Sequence, residues 1–148
     1  MIKINLSRVV LLMVGLFYII LLTLSSFSEV GNIFRLRTPF YGDVPNNNYL
    51  PFITIVTYIL NFDHYNLNMW LFNMLGNILT FLPLGIIAPI LFKSIYRYKH
   101  IIYVSMAIRV VIEVLQYNTS LGVFDVDDIF LSLTGSLFGF SLYIKYIK

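Results

Sequence analysis

Four long apolar runs constrain this chain more than any other feature. Residues 9–27, 69–92 and 129–143 contain no charged side chain, and residues 101–117 contain only Arg109 and Glu113. Crossing the hydrocarbon core of a bilayer takes a helix of about 20 mostly apolar residues, and with their flanks these runs are of that order. Only 11% of the chain is charged and 59% is hydrophobic, with a mean hydropathy of +0.83. An ordinary soluble domain carries about a quarter charged residues, so this chain lacks the polar groups to cover a water-facing surface. The expectation is an all-α integral membrane protein: one domain over residues 1–148, with spans at about 9–27, 69–92, 101–117 and 128–144.

The first run follows Lys3 and Arg8 and ends near Ser26-Phe27-Ser28, as a cleavable signal peptide could. It is read as a span because it exceeds the usual length of such a peptide's apolar region. Cleavage would also leave an odd number of spans, which the charge pattern does not support. Pro83 and Pro89 in the second run are tolerable in a membrane helix packed among neighbours. A further apolar run, 51–62, is too short to cross and suits a re-entrant or interfacial helix. The segment before it, 38–48, is rich in Pro, Gly, Asn and Asp, a turn-forming connector. With no cysteine, disulfides and thiolate chemistry are excluded.

Four spans place the connecting segments alternately on two sides. One side receives Lys3, Arg8, Lys93, Arg97, Lys99, Lys145 and Lys148 and no acidic residue; the other receives Glu29, Arg35, Arg37, Asp43, Asp63, Asp125, Asp127 and Asp128. The positive-inside rule makes the first side cytoplasmic, so both termini are expected inside. Orientation and contact with anionic lipid account for these basic residues, and a net charge of +3 does not call for a nucleic-acid partner.

At 1.5 Å of rise per residue, Arg109 falls near the bilayer middle and Glu113 and Gln116 in its outer half. The second span descends, so Asn73, Gly76 and Asn77 lie in its outer third. Asn73, Asn77, Glu113, Gln116, Asp125, Asp127 and Asp128 are therefore drawn to one level and, with Arg109 one turn deeper beside Glu113, form a candidate ligand-binding pocket. Ionisable groups inside a span are costly and by default functional. The plainer account is that Arg109 and Glu113, four residues apart, neutralise each other. Asp125, Asp127 and Asp128 precede the last span, where Asp127 or Asp128 suits an N-cap. Three exceed that need, and crowded carboxylates share protons, pair with cations or bind a hard divalent ion. No ligand spacing matches a metal motif, so a divalent cation at the cluster stays open beside a solvated acidic loop. Gly76, Ser132, Gly135 and Gly139 are small residues suited to close helix packing, read as internal contact rather than dimerisation. His64 and His100 are solitary. There is no phosphate-binding glycine loop, serine nucleophile elbow, HExxH or CxxC, which ranks catalysis below binding.

Taken in order, Asn48-Tyr49-Leu50-Pro51-Phe52, the stretch from Asn73 through Gly76-Asn77 to Pro83-Leu84-Gly85, Glu113-Val114-Leu115-Gln116, Phe124-Asp125-Val126-Asp127-Asp128 and Gly135 with Gly139 resemble the VanZ-like family over about residues 48–140. The first span also resembles that family's N-terminal helix. The resemblance implies a bacterial membrane protein of a family named for low-level resistance to the glycopeptide teicoplanin. It carries over Asn73, Asn77, Glu113, Gln116, Asp125 and Asp128 as motif residues, with Asp127 beside them. Arg109 stands where a small Ser is usual, and Ser132 where an Asn usually follows the acidic motif. The expected partners are membrane lipids and a polar envelope ligand, either a cell-wall lipid precursor or a lipoglycopeptide, with no cofactor. The alternatives are an enzyme acting on a lipid-linked envelope substrate and a non-catalytic membrane scaffold.

Overall fold

The structure is a computed structural model that describes residues 6–26, 47–61, 63, 67–119 and 122–148, apart from the side chains of residues 6–8, 68–70, 72 and 73. Among the described residues there are five helices: α1 (Leu6–Ser26), α2 (Ile53–Leu60), α3 (Leu67–Leu91), α4 (Tyr98–Thr119) and α5 (Val126–Tyr146). All but α2 are long and apolar enough to cross a membrane. The only β-type pairing among the described residues is an isolated parallel bridge between Asn48 and Asp125. The chain is thus a small helical membrane bundle, and each long helix includes most of the apolar run from which it was expected.

The long helices alternate in direction. In α1 Gly15 lies against Leu91 and Ile87 of α3, and the Tyr18 hydroxyl donates to the Thr80 carbonyl at 2.6 Å, an antiparallel pairing. Tyr98 shares a hydrogen bond with Ser141 at one end of α4, and Ser105 meets Ser136 further along, so α4 and α5 are antiparallel too. Consequently Lys93, Arg97, Lys99, Lys145 and Lys148 fall at one end of the bundle. Asp63, Glu113, Asp125, Asp127 and Asp128 fall towards the other.

Pro83 and Pro89 leave α3 helical throughout. A proline inside a helix removes one backbone hydrogen bond, which neighbouring helices make tolerable in a membrane bundle. The core joins Phe81, Leu84 and Ala88 of α3 to Ile101 and Ile112 of α4, Phe140 of α5 and Leu22 of α1. The outward faces are apolar: Met13, Leu16, Phe17, Tyr103, Val111 and Phe138 are each more than half exposed. A continuous apolar exterior of this kind fits lipid, not water.

The closest approach is between α3 and α5, which run parallel. A Cβ built on Gly135 would fall on the Ile78 carbonyl, and one on Gly139 on the Leu82 carbonyl. Gly85 of α3 answers from the other side, where a Cβ would strike the Ser136 carbonyl and the Phe140 amide. Small residues let membrane helices pack backbone to backbone, and here the contact is internal. Gly76 corrects the sequence reading, because no described atom lies within 4 Å of a Cβ at that position. It faces away from the seam that Gly135 and Gly139 form.

Candidate functional site

The antiparallel register of α4 and α5 sets polar side chains in layers. Ser105 and Ser136 hydrogen-bond at 2.8 Å. One helical turn further along each helix, the same register brings Arg109 level with Ser132, and one turn beyond that Glu113 level with Asp128. The Arg109 guanidinium ion-pairs with both carboxylates through Nη2, at 2.5 Å to Asp128 Oδ2 and in direct contact with Glu113 Oε1. Asn77 of α3 closes the group, donating from Nδ2 to Asp128 Oδ1 at 2.5 Å and accepting from Arg109 Nη1 at 3.3 Å. Arg109 is 1% exposed and Glu113 0%, so these charges are withdrawn from water. A buried guanidinium stays only if its partners are well placed, and the planar fork of arginine reaches two carboxylates and an amide together.

A second group of contacts joins this network to the segment around α2. Glu113 Oε2 accepts the backbone N–H of Asp125 at 3.0 Å. Asp125, and not Asp127 or Asp128 as expected, caps α5: the helix starts earlier, at Val126, and the Asp125 carboxylate accepts from the Asp127 amide at 2.8 Å. The same carboxylate also accepts from Asn48 Nδ2 at 2.9 Å and from Thr54 Oγ1 at 2.7 Å. Asp127, fully buried, turns to the start of α2 and accepts from the amides of Phe52 at 2.5 Å and Ile55 at 3.1 Å. Both carboxylates thus satisfy backbone or side-chain donors of the short helix, where anionic groups are favoured. Phe52 adopts a left-handed backbone with φ 68°, unusual for a bulky residue. The Asp127 contact and stacking of its ring on Phe130 at 5.0 Å hold it there.

The site expected from sequence is therefore assembled only in part. Asn77, Arg109, Glu113 and Asp128 converge, and Asp125 joins them through its backbone. The three aspartates diverge: Asp125 to Asn48 and Thr54, Asp127 to α2, and Asp128 to Asn77 and Arg109. No group of three His, Cys, Asp or Glu among the described residues is arranged to hold a metal ion. Gln116 departs from the group, donating instead to the Ser26 carbonyl of α1 at 2.5 Å with its side chain against Gly122. The side chain of Asn73 lies outside the described residues. Ser132 is fully buried, with no hydrogen-bond partner for its hydroxyl. Asn48 and Thr54 went unassigned by sequence reasoning. The available signals were that Asn48 opens the first stretch carrying the family resemblance, and that Asn48 and Thr54 are a polar pair flanking Pro51.

A helical bundle with four candidate spans, an apolar exterior and a buried charged network at one end defines a multi-pass membrane protein. The sequence model of the VanZ/LLP1 family matches residues 9–147, and the chain belongs to that family. The match extends the resemblance seen at residues 48–140 to include α1. No curated protein and no solved structure shows significant similarity to the chain.

Proposed function

We propose that this VanZ/LLP1 protein lies in the bacterial cytoplasmic membrane with both termini inside, and that its acidic end recognises a polar cell-envelope ligand. The ligand is the head group of a cell-wall lipid precursor or a lipoglycopeptide, and binding it lowers antibiotic access, as the likeness to teicoplanin-resistance proteins suggests. Supporting this is the convergence of Asn77, Arg109, Glu113 and Asp128 from three helices at one end of the bundle. Charges this costly inside a span are usually kept for function. Because Arg109, Glu113 and Asp128 largely occupy one another, their part is to fix shape and field, while ligand contact falls to the half-buried Asp125 rim.

Cells expressing the chain are expected to tolerate more teicoplanin than cells without it. Glu113→Gln and Asp125→Asn should each remove that tolerance while the protein remains in the membrane at normal level. Unchanged tolerance in both variants takes the network out of the mechanism. A second reading has its own support in how fully the terminal nitrogens of Arg109 are engaged: the network would be cement joining α3, α4 and α5, and the protein a scaffold for a membrane partner. Tolerance that survives Glu113→Gln in a folded protein selects the scaffold.

The proposed orientation rests on the basic residues at the end shared by the α3–α4 turn and the C-terminus, by the positive-inside rule. A fluorescent protein fused after Lys148 should fold and fluoresce, and alkaline phosphatase fused there should be inactive. An active phosphatase fusion reverses the orientation.

A further inference from the structure

At the acidic end, outside the buried network, Tyr49, Tyr117 and Phe124 line a shallow groove floored by Val114. Tyr49 stacks on Phe124 with ring centroids 5.4 Å apart, and Tyr117 meets Phe124 edge-on at 6.3 Å. The rings come from three separate segments, and the backbone fixes two of them. The Phe124 carbonyl accepts from the Asn48 amide at 2.8 Å, its own amide donates to Asn47 Oδ1 at 3.0 Å, and the Asn47 side chain donates to the Tyr49 hydroxyl at 3.1 Å. Tyr49 and Tyr117 remain more than half exposed, so their ring faces are available.

The formal charge of the described residues at this end is net negative. Among the described residues at this end, Asp63, Glu113, Asp125, Asp127 and Asp128 stand against Arg109 alone. Glu113 and Asp125 adjoin the groove residues Val114 and Phe124 in the chain, and Glu113 Oε2 accepts the Asp125 amide, so both carboxylates belong to the end of the bundle that carries the groove, Glu113 buried and Asp125 half-buried. No cationic side chain lines it to hold a phosphate. Aromatic faces attract cations through the ring quadrupole, most strongly where water is partly excluded, and rings at helix ends sit at head-group level.

We propose that this groove binds the ammonium of a zwitterionic phospholipid head group, held over the rings of Tyr49, Tyr117 and Phe124 and attracted by the carboxylates behind them. The proposal goes beyond recognition by the buried network and does not depend on it, since it requires only the rings and the sign of the local charge.

The test is native mass spectrometry of the full chain released from nanodiscs of equal phosphatidylethanolamine and phosphatidylglycerol. The protein is expected to retain the ethanolamine lipid over the glycerol lipid about fivefold. The double variant Tyr49→Leu with Tyr117→Leu keeps the groove apolar but lacks two quadrupoles, and it should lose the preference with unchanged helix content. Tyr103→Leu, an exposed tyrosine outside the groove, should retain it. Tetramethylammonium added before release should displace the retained lipid, whereas neutral tert-butanol should not. The proposal is overturned by equal retention of the two lipids in the wild type. A preference that survives the double leucine variant also overturns it, as does displacement by tert-butanol equal to that by tetramethylammonium.

Discussion

Arg109→Ala should lower the stability of the bundle by about 3–5 kcal/mol, because it strands Glu113 and Asp128 without their shared cation. The cost exceeds that of losing a surface pair because both carboxylates are almost wholly buried and cannot recover water. Thermal unfolding in detergent, followed by circular dichroism, measures the loss. Arg109→Lys should fall between wild type and alanine, because an ammonium is a point charge without the fork that reaches Glu113, Asp128 and Asn77 together. The triple variant Arg109→Met, Glu113→Gln, Asp128→Asn should regain most of the loss, since nothing charged is then left unpaired. Guanidinium ion at millimolar concentration should stabilise the alanine variant more than it does the wild type. An alanine variant as stable as the wild type would mean that the carboxylates are not held in a dry network.

This network also shows what could be read in the sequence and what could not. The apolar runs announced the spans, because crossing length and absence of charge are properties of the chain alone. The Arg109–Glu113 pair followed from helical spacing, since residues four apart share a face. Direction and rise put Asn77 and Asp128 at the same depth. Depth does not specify azimuth, however, and this is where the reading fell short. Gln116 lies at the predicted level but faces α1 and the Ser26 carbonyl, while Gly76 faces away from the α3/α5 seam. The acidic cluster was recognisable as a helix start, though the cap is Asp125 where Asp127 or Asp128 was expected, and the contacts of Asp125 and Asp127 with residues 48–55 needed knowledge of where that segment returns. Asn48 and Asp125 are far apart in sequence, and no local pattern records that they bridge. The left-handed Phe52 was equally invisible, since that conformation is imposed by the Asp127 contact and not by the preference of phenylalanine.

Gly135→Ala and Gly139→Ala should each separate α3 from α5, and the contrast with Gly76→Ala makes the effect diagnostic. All three glycines lie inside helices, where alanine is favoured intrinsically by about 1 kcal/mol. That preference should prevail at Gly76, where a methyl group meets no described atom, and the variant should be at least as stable as the wild type. At Gly135 and Gly139 the new methyl would overlap the carbonyls of Ile78 and Leu82, which are backbone and cannot turn aside as a side chain can. The helices must part, and overpacking of this kind costs typically 1–3 kcal/mol or more, enough to outweigh the helical preference. Separation would also draw Asn77 away from Asp128, because Asn77 adjoins the contact residue Ile78 on α3 and Asp128 lies about two turns before Gly135 on α5. The double glycine variant should therefore lose more than the sum of the two single losses, as the Arg109 network loosens with the seam. Melting temperatures of the wild type and the four variants decide the matter. Equal behaviour of Gly76→Ala and Gly135→Ala would contradict the backbone contact between α3 and α5.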